Sequence, residues 1–304
     1  MGSAFDRFED IYDKYKENMQ LENIMYKKTF LGIIDILGFK VFLDNYKEKA
    51  PIEIFRLITE NLFSTELYFN NLKFKMLSDT LIVYSEQIDD PSIILDIIFA
   101  LDTFRTDMIR RGFFSRGAIV SGDNFIDGDI MISPAFIEAY IIEEKECIYP
   151  RIIINDDLVQ KINDNIDAII ENYIKMNYDD DILRNTSIYN RYCNNMKVIL
   201  RKIICRDDDS KYIIYPFIGT NDEIALYYFD DYIYNPTCLL NDQKMMMINK
   251  LMATLSGIKN GINSGYDRAK DDKSRTKANY LIKSFNDLIN DLSIDKGSKD
   301  KLTI

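Results

Sequence analysis

Residues 29 to 36, TFLGIIDI, form an almost unbroken apolar run that ends on a carboxylate, Asp35, with a turn at Gly38 just beyond. Such a run reads as a strand inside a packed sheet, and Gly38 turns the chain into a helical stretch ending near Asn70. An ionised carboxylate at an apolar strand end is expensive unless a cation or a donor satisfies it. A second acid, Asp79, sits beside Ser78 at the tip of a tight hairpin with strands at 72–77 and 80–85. Two carboxylates near strand ends seat hard divalent cations, and hard cations handle phosphate. Their ordinary alternative is service as turn residues or helix caps. The turn Ile36-Leu37-Gly38-Phe39 offers backbone N–H groups, with Gly38 permitting close approach of a phosphate.

A helix over 91–111 follows, then strands at 115–121 and 125–132, a helix opening at Ser133-Pro134, and a strand at 151–155. Ser before Pro is a good N-cap and first-turn pair. The order predicts an α+β, ferredoxin-like βαββαβ core, an antiparallel sheet with helices on one face and the hairpin at its centre. Residues 156–196 read as polar and helical, with a solvated acidic turn at Asp179–Asp181. Strands are expected at 198–205, 211–218 and 224–234, and helices at 240–270 and 274–292. An amphipathic helix at 4–20 needs a core or partner to pack against, and the Met245–Met247 cluster reads as core or dimer packing or as an adaptable binding surface. The expected units are an N-terminal helix in 1–27, a catalytic domain in 28–235 with its motifs in 28–155, and a helical extension in 236–304.

The 304 residues contain no histidine, which removes Ser/His/Asp and Cys/His catalysis, HExxH zinc chemistry and any imidazole base. Four cysteines without a CxxC pair read as thiols of a reducing cytoplasm. A net charge of −11 argues against nucleic acid and anionic membranes as partners. No secretory signal is visible, and Asp6 stands where a myristoylation signal has Ser or Thr. The most apolar segment, 93–104, is broken by Asp96 and Asp102 and is too short to cross a bilayer.

The motifs FLGIIDILGF, KMLSDTLIV, RGAIVSG, SPAFIEAYIIEE and YPRI, in this order, resemble the class III nucleotidyl cyclase catalytic domain. The resemblance is closest to the bacterial pyrimidine cyclases of the Pycsar antiphage system and covers residues 28–155. It implies that Asp35 and Asp79, with Ile36 also at the metal site, bind two Mg²⁺ or Mn²⁺ ions. Ribose O3′ then attacks the α-phosphorus of a nucleoside triphosphate, giving a 3′,5′-cyclic nucleotide and pyrophosphate. Substrate contacts are expected from Ile36, Leu37, Gly38, Phe39 and Ser78. Lys75, four residues before Asp79, is a candidate for reading the base or an ordinary solvent-facing lysine. Purine cyclases carry an asparagine and an arginine where this chain has Ile137 and Ile141, and a purine-reading aspartate where it has Ile130, with Asp129 one place away. Arg116 and Arg151 are the candidates to supply the missing charge, or else structural ion-pair partners. The expected protein is a cytoplasmic, homodimeric cyclase of UTP or CTP, making a second messenger during phage infection. The alternatives are an adenylate or guanylate cyclase with an altered site, and a silent cyclase-like module that binds nucleotide or a protein.

Overall fold

The computed structural model describes residues 26–46, 69, 71–85, 90–127, 130–177, 186–217, 241–292 and 296–304, with the single positions Ile52, Arg56, Thr59 and Glu60. The helix expected at 4–20, most of the stretch leading to Asn70, Asp129, the Asp179–Asp181 turn and the strand expected at 224–234 lie outside these residues. So do the side chains of Met245–Met247.

Strand β1 (Lys27–Ile36) is followed by helix α1 (Phe39–Tyr46), the hairpin strands β2 (Lys73–Leu77) and β3 (Thr80–Tyr84), helix α2 (Ile93–Arg110) and strand β4 (Ser115–Asp127). In space these four strands run β2-β3-β1-β4, with β1 antiparallel to both neighbours. This is the ferredoxin-like arrangement the element order predicts, complete at β4. Being apolar on both faces, β1 takes the middle of the core. The hairpin is therefore displaced to the edge, where β2 ends the sheet, instead of occupying the centre.

A short strand β5 (Ile130–Ile132) folds back on β4, helix α3 (Pro134–Lys145) returns across the sheet, and β6 (Ile152–Ile154) pairs with β4 in parallel. Helices α4 (Asp156–Asp164), α5 (Ile166–Asn177) and α6 (Thr186–Ile203) lead to β7 (Ile204–Arg206) and β8 (Tyr212–Ile214), which complete an eight-stranded sheet. Helices α7 (Asn241–Arg268), α8 (Asp272–Asp291) and α9 (Lys296–Leu302) close the chain. The strand expected at 198–205 is mostly helix. Met196, Ile199, Leu200 and Ile203 recur at helical spacing and are all buried, so the 3.6-residue period wins over β-propensity.

The two faces of β1 divide the core. Ile34 and Ile36 pack toward α2, and a Cβ at Gly32 would meet Leu101 Cδ1 at 2.4 Å, so that helix lies directly on the strand. Leu31 and Ile33 face the other way, with Ile82, Ala118, Val120 and the α3 residues Ala135, Ala139 and Ile142. Helices thus cover both faces, not one, because α3 presents small residues at helical spacing that fit closely on the sheet. Its start follows the expectation, Ser133 Oγ accepting from Phe136 N–H at 2.8 Å with Pro134 in the first turn. Within α2, the buried carboxylate of Asp102 pairs with Arg105, which also donates to the Ile214 carbonyl at 3.1 Å.

Candidate active site

Three strand ends meet at Asp35. It lies opposite Thr80 on β3 and opposite Arg116 on β4. Strand alternation sends Asp35 to the same face as Leu31 and Ile33, beneath α3. The Ile36 N–H donates to the Asp79 carbonyl at 3.1 Å, which ties the hairpin tip to the end of β1. Ser78 takes a positive φ of 59° to make that turn, a conformation uncommon outside glycine. The Leu37 N–H donates to the Phe114 carbonyl at 2.8 Å. The Ile36 and Leu37 amides are therefore used in lacing the strand ends, and the phosphate cradle expected from them narrows to Gly38 and Phe39. Gly38, at φ 78° with open space where a Cβ would stand, leads into the first turn of α1. Helix-start N–H groups have no partner within the helix.

The electrostatics are those of too many charges for the cations present. Burial raises the pKa of Asp35, and the neighbouring Asp79 charge raises it further, while Arg116 and Lys277 oppose the shift. Arg116 Nε stands 3.8 Å from Asp35 Oδ2 and 2.5 Å from Glu143 Oε1, and its Nη1 donates to the Cys147 carbonyl at 3.2 Å. Neither Arg116 Nε nor Glu143 Oε1 finds an aligned hydrogen bond in that contact. Glu143 is 4% exposed, and burial, with smaller contributions from Asp35 and Glu144, pushes its carboxyl up to about 7 despite Arg116 and Lys277. Cys147 is no nucleophile. Burial pushes its thiol up to about 11, and its Sγ donates to the Arg151 carbonyl at 3.0 Å.

Among the described residues no three His, Cys, Asp or Glu side chains gather as a metal cluster. The donor set at Asp35 and Asp79 is two oxygen ligands whose like charges a cation relieves. That fits Mg²⁺ or Mn²⁺ held by one or two carboxylates together with substrate phosphates, and does not fit a cage built by protein alone. Ile36 has only its backbone carbonyl to offer a metal, its N–H being engaged.

Lys75 on β2 pairs with Ile82, which pairs in turn with Ile33, so it shares the sheet face of Asp35, two residues in from the strand ends. Ser78 is exposed at the hairpin tip. Arg151 is elsewhere in its bonding. At 1% exposure, its Nη1 meets Asp207 Oδ2 at 2.5 Å, its Nη2 meets Asp209 Oδ2 at 2.5 Å and donates to the Glu146 carbonyl at 3.3 Å. Two carboxylates already neutralise it, which makes it an anchor of the 207–209 loop. Ile137 and Ile141 stand on the outer side of α3, 59% and 41% exposed. Sequence reasoning gave no role to Glu143 or Lys277. Glu143 had a signal, an acid at helical spacing with Ala135 and Ala139 on an apolar face. Lys277 had none.

No family model and no curated relative matches this chain. Similar solved structures include adenylyl and guanylyl cyclase domains and an adenylyl cyclase-like ATP-binding protein. The guanylate cyclase domain of a protein from Catenaria anguillulae, solved with GTP, is 17% identical at a TM-score of 0.37, over 45% of this chain and 82% of that one. An adenylyl cyclase from Pseudomonas aeruginosa is 17% identical at 0.37, over 46% and 82%. A dimeric guanylyl cyclase domain from the aquatic fungus Blastocladiella emersonii is 15% identical at 0.39, over 46% and 84%. Likeness of this degree transfers no activity. No described helix is long and apolar enough to cross a membrane.

Proposed function

We propose that this chain is a pyrimidine nucleotide cyclase, converting UTP or CTP to the 3′,5′-cyclic nucleotide and pyrophosphate, with UTP favoured. The observation that carries the reading is the register that sets Asp35 beside Arg116 while the Ile36–Asp79 hydrogen bond holds the second carboxylate to the same strand end. Asp35 and Asp79 would hold two Mg²⁺ or Mn²⁺ ions. Such ions, when bound, lower the pKa of a ribose hydroxyl and neutralise phosphate charge. Arg116, partly exposed beside Asp35, is the cation a phosphate meets first. The Gly38 and Phe39 amides stand at the start of α1, the end of a helix where anions are favoured. O3′ attack forms one P–O bond at the α-phosphorus and breaks the bond to the β-phosphate, so positioning and charge neutralisation supply the catalysis and no histidine is needed. Lys75, on the same sheet face, reaches for the base. The aliphatic Ile130, Ile137 and Ile141 lack the donors and acceptors that purine recognition uses, which supports a pyrimidine. The proposed catalytic unit is 28–235, acting as a homodimer that makes a second messenger in antiphage defence.

A second reading, a nucleotide-binding module without turnover, is favoured by the same two isoleucines on α3, which leave the transition state with fewer donors. Incubation with Mn²⁺ and each of the four ribonucleoside triphosphates separates the readings. Pyrophosphate release from UTP or CTP supports the proposal. Release from ATP or GTP alone moves the assignment to a purine cyclase, and binding without release leaves the silent module.

A further inference from the structure

Helix α8 is docked at the end of the sheet that carries Asp35. Tyr280 stacks on Tyr149, their rings 4.9 Å apart and 9° from parallel, and its hydroxyl donates to Asp207 Oδ2 at 2.8 Å. The Tyr215 hydroxyl donates to the Ser284 carbonyl at 3.1 Å, one turn further along. Asp207 also holds Arg151, whose carbonyl accepts from the N–H of Gly117, the residue after Arg116. Lys277 precedes Tyr280 by three residues, so both lie on one side of α8. It is half-buried, and its charge acts on Asp35, Glu143 and Arg116. Among the described residues no acid lies within ion-pair distance of its ammonium, 4.0 Å. Burial, then Arg116 and Lys273, disfavour that ammonium, while Asp35 and Asp271 offset them only in part. Two cations, Arg116 and Lys277, thus converge on the end of β1 that carries Asp35. A polyanion that arrives with divalent cations satisfies all of these charges, its metal answering Asp35 and Asp79 and its own oxygens answering Arg116 and Lys277.

On the cyclase reading above, we propose that Lys277 is a triphosphate-binding residue of the active site, delivered by the C-terminal helical segment. The segment after 236 is then part of the site and not an appendage. The lysine contacts phosphate oxygens by charge-assisted hydrogen bonds.

The test is calorimetric titration of the full chain with inorganic tripolyphosphate and Mg²⁺, alongside pyrophosphate release from UTP and CTP. Lys277→Met keeps the aliphatic stem and removes the charge, and Lys277→Arg restores it. Lys277→Gln replaces the Met variant if that one does not fold. The expected result is at least about tenfold weaker tripolyphosphate binding in Lys277→Met, with most of the affinity recovered in Lys277→Arg and melting temperatures unchanged. Equal affinity of wild type and Lys277→Met overturns the assignment while pyrophosphate release keeps the cyclase reading. Equal loss in the Met and Arg variants makes Lys277 a packing residue and overturns it too. A wild type that neither binds tripolyphosphate nor releases pyrophosphate from any ribonucleoside triphosphate removes the cyclase reading, and this assignment with it.

Discussion

Arg116 and Arg151 stand at the same end of the sheet, one on β4 and one just before its parallel neighbour β6, yet their surroundings differ in kind. Arg151 is fully enclosed and meets two carboxylates, Asp207 and Asp209, and a carbonyl. Arg116 is shared between Asp35 at 3.8 Å and a poorly aligned Glu143, and both of those carboxyls have raised pKa values. The first cluster answers its cation with two carboxylates, although Arg151 Nε has no partner, and the second is short of positive charge. A buried ion network that satisfies itself serves the fold, while one that does not is where a cation or a charged substrate gains most.

The contrast breaks most visibly at Asp35. Asp35→Ala should lower cyclisation by roughly three orders of magnitude, the loss that several kcal/mol of missing metal stabilisation implies, with no loss of melting temperature, since a like-charge repulsion is relieved. Near-normal steady-state turnover would show that the two carboxylates do not act together. Arg151→Met should do the reverse. Leaving Asp207 and Asp209 without their cation should cost about 3–5 kcal/mol in denaturant unfolding, whereas turnover per folded molecule stays within a few-fold. A large drop in kcat at unchanged stability would return Arg151 to the substrate site.

Lys75→Ala is expected to have a smaller effect, about 1–3 kcal/mol of lost discrimination among nucleotides, read as relative kcat/KM for UTP, CTP and ATP. Unchanged ratios would make Lys75 an ordinary edge-strand lysine. The subtlest effect is at Glu143. Its folded-state carboxyl titrates at about 7 against 4.5 for an ordinary glutamate, so between these values the folded protein holds a proton that the unfolded chain releases. Stability from this group is therefore present at low pH and declines as pH rises through that window. Glu143→Gln should flatten the decline in metal-free unfolding curves measured between pH 4.5 and 7, and an identical slope would show that the carboxyl is not protonated there.

Local features are legible in the amino-acid sequence. The apolar run ending at Asp35, the hairpin tip at Asp79, the turn at Gly38 and the Ser133-Pro134 cap each announce themselves within a few residues, and together they order the core. Contacts across long separations left no such mark. Nothing near Arg151 in the chain announces Asp207 and Asp209, so both arginines looked equally suited to phosphate. Nor does anything mark Lys277, whose place follows from the Tyr280–Tyr149 stack. The Ile36 and Leu37 amides looked available because their acceptors, the carbonyls of Asp79 and Phe114, belong to other strands and loops.

The most direct measurement of the central claim is Mn²⁺ binding, followed by electron paramagnetic resonance with UTP present, in wild type, Asp79→Ala and Arg151→Met. The account predicts nucleotide-dependent Mn²⁺ binding in wild type and in the folded fraction of Arg151→Met, and its loss in Asp79→Ala. Equal Mn²⁺ binding by wild type and Asp79→Ala would contradict it, because the uncompensated carboxylates at the end of β1 would then not be a metal seat.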